Sequence, residues 1–195
     1  MDIYQGLTRI DKAGLPHPEW EFVSSSKDLK KYFKIKDYCG WTVRTARLIG
    51  APWKNLYVNW LPKKQVPAKI DELQKMHKGK ALFVIYPSWN WKKSGTILIE
   101  KNRTVIEAAK GSIIDLMRYG KVDASYFYQH GKLVGSNGKE QLLSPTERRK
   151  ILQAEKKIKQ KEIILEWGIT TQNKFIFYRI ETLKEAARLL IQKYS

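Results

Sequence analysis

The sequence predicts an α+β fold of antiparallel strand pairs and short helices, and three stretches carry that expectation. Ile163-Ile164-Leu165-Glu166-Trp167 and Phe175-Ile176-Phe177-Tyr178 read as two apolar strands, with Thr170-Thr171-Gln172-Asn173 as the turn between them. Thr96 to Glu100 and Thr104 to Ala108 form a second such pair around Lys101-Asn102-Arg103. Between the pairs, Ser144 stands at an N-cap, Pro145 at the first helical position, and Glu147 three residues on closes a capping box. A chain of 195 residues makes one domain or two small lobes.

The remaining elements follow in order. Leu7 and Ile10 at helical spacing predict a short helix that stops at Gly14, and Pro16 and Pro18 then hold the chain extended into a strand with Trp20, Phe22 and Val23. Ser24-Ser25-Ser26 can cap a helix with Leu29, Tyr32 and Phe33 on one face. Cys39 to Thr45 is a strand ending near Arg44. Lys69 to Lys78 is a helix with Ile70, Leu73 and Met76 inward, and Ala81 to Tyr86 is a continuous apolar run, hence a buried strand. Tyr126-Phe127-Tyr128 and Lys132-Leu133-Val134 make a hairpin, and Ser136 to Lys139 a polar loop. Thr182 and Glu185 form a second capping box ahead of Ala187, Leu190 and Ile191.

Composition narrows the function. The 37 Lys and Arg against 19 Asp and Glu leave a formal net charge of +18, which calls for an anionic partner: nucleic acid, nucleotide phosphate or an acidic surface. Cys39 is the only cysteine, so neither an intramolecular disulfide nor a cysteine metal site is available, and a reducing cytoplasmic setting is expected. No apolar run has the length of a membrane span. His17, His77 and His130 are scattered, without metal-ligand spacing.

Two kinds of residue stand out. A carboxylate inside an apolar strand is costly unless paired or bound to a cation, so Glu166 and Glu107 need an explanation, either a salt bridge or a metal. Aromatics interleaved with lysines can stack single-stranded nucleic acid, and two clusters have that composition. One holds Trp53, Tyr57 and Trp60 with Lys54, Lys63 and Lys64; the other is a tip with Trp89, Trp91, Lys92 and Lys93. The basic helix from Arg148 and Arg149 onward would serve the same role.

The ordered set of motifs resembles the nucleotide-binding domain of the phosphoenolpyruvate synthase and pyruvate phosphate dikinase family, an ATP-grasp fold. The pieces are Gly14-Leu15-Pro16, Val43-Arg44, Ser94-Gly95, Val105-Ile106-Glu107-Ala108, Val122-Asp123 with Tyr126, and Leu165-Glu166-Trp167. The resemblance implies a two-lobed domain, with lobes near 1–84 and 85–195, that binds ATP with Mg2+. It implies that Arg44, with Arg47 beside it, meets the phosphates, since the rigid guanidinium fork suits phosphate oxygens. It implies that the linker from Val84 through Tyr86 to Pro87 receives the adenine edge, and that Glu107 and Glu166 hold magnesium.

The chain also departs from the family pattern. Ile164 stands where the family has a first acid, Tyr178, which the resemblance puts at the nucleotide, where it has a glutamine, and Ile180 where it has an arginine. The phosphate-gripping lysine has no counterpart, and a glycine loop is reduced to Gly111. The phosphohistidine and phosphoenolpyruvate domains are absent from the 195 residues. The expectation is therefore a nucleotide binder that is non-catalytic or relies on a separate catalytic subunit. The alternative is a basic RNA- or DNA-binding module on a degenerate ATP-grasp fold.

Overall fold

In a computed structural model the described residues are 2–29, 34, 39–50, 56–112, 116 and 120–186. They fall into two compact units: Asp2–Gln5 with Pro18–Trp89, and Gly6–His17 with Asn90–Ser195. The chain thus passes between the units at Gln5/Gly6, at His17/Pro18 and at Trp89/Asn90.

The first unit is an antiparallel four-stranded sheet in the order β1-β4-β2-β3, with β1 at Glu21–Val23, β2 at Trp41–Leu48, β3 at Tyr57–Leu61 and β4 at Ala81–Pro87. One face carries Trp41, Val43, Phe83 and Ile85, all fully buried. It packs with Val66, Ile70 and Leu73 of a helix whose Pro67 suits its first turn, Val66–Met76. That helix starts earlier than its sequence pattern suggests, and Met76 in its last turn, expected inward, is 61% exposed. The helix expected after Ser24 begins as a single 3-10 turn, Ser26–Asp28, behind a capping box at Ser25; Tyr32 and Phe33 lie outside the described residues.

The second unit is an antiparallel six-stranded sheet in the order β10-β9-β5-β6-β7-β8. The strands are β5 Trp91–Ile99, β6 Arg103–Lys110, β7 Ala124–Gln129, β8 Lys132–Gly138, β9 Ile163–Thr170 and β10 Phe175–Thr182. Directly opposite residues share a face, so the ladders assign Ile97, Ile106, Tyr126, Leu165, Trp167 and Phe177 to one side, and all six are buried there. Leu7 and Ile10 of helix α1, Ile3–Lys12, are buried too, as are Ile151 and Ala154 of the capped helix Pro145–Lys157. Every strand of this sheet outruns its sequence signal. β5 begins at Trp91 rather than Thr96, β8 continues through the expected polar loop to Gly138, β9 reaches Thr170 and β10 reaches Thr182. Residues 183–186 are helical behind the Thr182–Glu185 box, while Ala187, Leu190 and Ile191 lie outside the described residues.

Glu147 does two jobs. Its carboxylate accepts the Ser144 backbone N–H at 2.7 Å, closing the capping box, and takes Lys93 Nζ at 2.8 and 2.9 Å. Burial pushes this carboxyl up, but the bonds from Lys93 and Ser144 pull it further the other way, leaving it below the ordinary 4.5. A carboxyl lowered in the folded state stabilises the fold above its unfolded pKa, and that contribution disappears as pH falls through the folded value. Glu147→Gln is therefore expected to cost about 2 kcal/mol at pH 7, the scale of a charged hydrogen bond. Urea titrations should show the difference from wild type shrinking as pH drops below 4.5; a gap that stays constant would remove the charge from the account.

Candidate functional site

The other face of the six-stranded sheet carries a line of polar side chains. Register places Arg179 opposite Glu166, Glu166 opposite Thr96, Thr96 opposite Glu107, Glu107 opposite Ser125, and Ser125 opposite Asn137. The row thus crosses all six strands. Neighbouring strands lie about 4.8 Å apart, so Glu166 and Glu107 are about 10 Å apart at the backbone with Thr96 between them. Thr96 is buried, and its hydroxyl donates to Glu107 Oε2 at 3.2 Å.

Glu166 is paired, not left open. Arg179 Nη1 donates to Glu166 Oε1 at 3.2 Å, while Nη2 and Nε donate to Glu181 Oε1 at 2.5 and 3.0 Å. The three side chains are only 12–18% exposed. Burial disfavours the Arg179 charge, but attraction to Glu166 and then Glu181 outweighs it, so the guanidinium is held above its ordinary pKa and is always protonated. This bears on magnesium, which takes hard oxygens in a near-octahedral shell at about 2.0–2.1 Å. Two of the three carboxylates of this face are engaged by a guanidinium, and among the described residues no group of three His, Cys, Asp or Glu could hold a metal ion. Glu166, expected at magnesium, thus has a guanidinium of the protein itself as counter-ion, and Glu107, expected there too, accepts from Thr96.

Arg179, the partner of Glu166, and Glu181, which shares it, are the residues of this row that sequence reading passed over. The available signal was an Arg-x-Glu at alternate positions of an apolar strand, facing another strand with a lone acid.

Tyr178, expected at the nucleotide, is the extra residue of a bulge. The pairing steps from Phe177↔Trp167 to Arg179↔Glu166 and leaves Tyr178 unmatched. Its ring lies 5.2 Å from that of Trp91. Trp91 roofs Gly168, where an added Cβ would fall 2.3 Å from the indole.

In the first unit, Arg44 pairs in register with Val84, and Thr42 with Tyr86, so Arg44, Val84 and Tyr86 share the face opposite the core. Arg44 is partly buried, and its Nε finds no hydrogen-bond partner among the described residues. Arg47 is committed elsewhere: its Nε donates to Asp2 Oδ2 at 2.6 Å and its guanidinium lies 4.4 Å over Tyr4. Val84 is not in a linker. It pairs with Phe22 on one side and Arg44 on the other, so the ladders surround the backbone expected to greet adenine. The connection comes later, past Pro87, where Ser88 N–H donates to Gly40 and the Ser88 hydroxyl accepts Trp60 N–H.

The aromatic–basic clusters do not form as expected. Trp89 is buried against Tyr86, and Trp91 and Lys93 belong to β5, with Lys93 bound to Glu147. Lys92 reaches Asn173 Oδ1 at 3.3 Å. Lys63 lies over the Trp41 ring, and Arg148 over Tyr126 at 4.8 Å. Trp60, Lys64 and Arg149 are exposed on separate elements, and Lys54 lies outside the described residues. No helix among the described residues is long and apolar enough to cross a membrane.

This pair of antiparallel sheets, each with its own helices, is known. Solved structures share it over about nine-tenths of the chain. The ADP complex of PurK, an N5-carboxyaminoimidazole ribonucleotide synthetase, matches with a TM-score of 0.55 at 10% identity, over 92% of this chain and 44% of that one. D-alanyl-alanine synthetase A from Vibrio cholerae matches at 0.54 and 11%, over 90% and 53%. The macrocyclase MdnC from Microcystis aeruginosa, bound with its precursor peptide MdnA, matches at 0.54 and 12%, over 91% and 52%. The fold is thus a shortened ATP-grasp-like α+β domain, and the chain spans about half the length of these structures. No protein-family model and no curated protein sequence matches it.

Proposed function

We propose that this chain binds an adenine nucleotide, with Arg44 as its phosphate contact. The observation that carries the reading is the buried Arg44 Nε, which meets no partner among the described residues, on the face it shares with Val84 and Tyr86. A partly buried guanidinium that leaves a donor unused pays a desolvation cost, which an anionic ligand would offset. The fold supports the choice of ligand, since one of its matches is an ADP complex. The specific likeness to phosphoenolpyruvate synthase rests on ordered motifs alone, and the solved matches are of other kinds. We read the chain as a binder that works without its own phosphoryl-transfer machinery, or beside a separate catalytic subunit.

Calorimetric titration with ATP tests this. Saturable binding is expected, and Arg44→Ala should weaken it more than about tenfold, the worth of one charge-assisted contact. Undiminished binding in Arg44→Ala would remove Arg44 from the site. An RNA or DNA partner, which the +18 charge would also favour, has a different signature: log affinity falling linearly with log salt over several units of slope.

A further inference from the structure

We infer that Arg179 is a resident cation that fills the carboxylate row of the six-stranded sheet and keeps a divalent metal out of it. The sequence of β10 builds this through its bulge. In an unbroken ladder after Phe177↔Trp167, Tyr178 would stand opposite Glu166, and Arg179 would point into the apolar core beside Leu165. The extra residue shifts the register by one, which moves every following side chain to the opposite face. Arg179 and Glu181 then meet Glu166 on the polar side, and Ile180 goes to the core, where it is 3% exposed.

The fork geometry completes the replacement. One guanidinium nitrogen takes Glu166 and the other two take a single oxygen of Glu181, so one fixed group bridges both acids as a metal ion would. A divalent ion between the same acids would sit against a buried positive charge and would have to strip these bonds. Glu107 alone remains, and one of its oxygens already accepts from Thr96. The counter-ion is therefore part of the chain, present at every magnesium concentration. In the nucleotide reading above, on which this clause rests, ATP binding is indifferent to magnesium.

The test uses Mn2+ as the probe, followed by electron paramagnetic resonance on the intact chain. Wild type is expected to show no saturable site. Arg179→Gln, which leaves Glu107, Glu166 and Glu181 on one face without a cation, is expected to gain one with a dissociation constant on the order of 0.1–1 mM, as in weak carboxylate sites. Should that variant fail to fold, Arg179→Gln combined with Glu181→Gln removes a charge of each sign, leaves Glu107 and Glu166, and is expected to gain a weaker saturable Mn2+ site. Saturable Mn2+ binding by wild type that is lost in Glu107→Gln overturns the inference, and so does a folded variant that gains nothing. ATP titrations in magnesium and in EDTA give the second readout, with affinities expected to agree within about twofold, a coupling near zero. If ATP binds under neither condition, the Arg44 reading fails while the Mn2+ result still decides the role of Arg179.

Discussion

Gly95→Ala is expected to destabilise the second unit by more than about 4 kcal/mol. Gly95 lies in β5, opposite Ala108 of β6 and Trp167 of β9. A Cβ built there falls 1.9 Å from the Glu107 carbonyl oxygen, 2.9 Å from its carbonyl carbon and 2.7 Å from Cζ2 of Trp167. Two of these atoms are backbone, held by ladders on both sides, and the third belongs to a fully buried indole. Nothing at the end of a flexible chain can yield, so β5 and β6 must part and Thr96 must leave Glu107. Overpacking in a well-packed core usually costs about 1–3 kcal/mol, and displaced backbone takes this case beyond about 4. For a chain of this length that lowers the melting temperature by more than about 10 °C. Gly131 is the control. It has φ +75° with open space around it, so alanine meets strain without a clash and should cost only about 1–2 kcal/mol. Thermal melts of the two variants side by side decide the matter. Equal, small shifts would mean that space at Gly95 is not what requires glycine there.

What could be read in advance was whatever is local. The capping box at Ser144 and Glu147 declares itself because its atoms lie within four residues, and it forms as expected. The lone acid in Ile163–Trp167 was legible as a residue in need of a partner. The partner was not, because its position depends on register. In Phe175-Ile176-Phe177-Tyr178-Arg179, strict alternation puts Arg179 on the same side as Phe177, in the core, and only the bulge at Tyr178 reverses that. Trp91 misled for a similar reason. Pro-Ser-Trp-Asn-Trp-Lys-Lys has the chemistry of an exposed loop, yet long-range pairing with Thr170 draws Trp91 into β5 and over Gly168. β8 reads as a loop because an edge strand buries little, and its Gly-Ser-Asn-Gly end shows no alternation. Arg44 was singled out by the family resemblance, but that its Nε meets no partner among the described residues could be seen only once the neighbouring strands were in place.

Arg179→Met is expected to cost about 3–5 kcal/mol at pH 7, because it leaves two carboxylates buried without their cation. Lost packing alone would cost less, since methionine keeps most of the aliphatic stem. The two causes separate by pH. With the guanidinium gone, a carboxylate buried without a cation favours its protonated form relative to an unfolded glutamate, which titrates at about 4.3. The folded variant then binds protons before the unfolded chain does, so its stability rises as pH falls from 7 toward 4.3. For Glu147 the gap narrows because wild type loses stability below pH 4.5, whereas here it narrows because the variant gains stability above it, so the curve that moves tells the two effects apart. Urea midpoints for wild type and variant at pH 7, 5.5 and 4.5 should converge. Adding Glu166→Gln and Glu181→Gln to Arg179→Met should recover most of the loss at pH 7 and abolish the convergence. Arg179→Lys, which keeps the charge but not the fork, should fall between wild type and methionine. A penalty that stays the same at all three pH values would show that Arg179 fills space rather than balancing charge, and the account of the polar row as an internally neutralised site would fail with it.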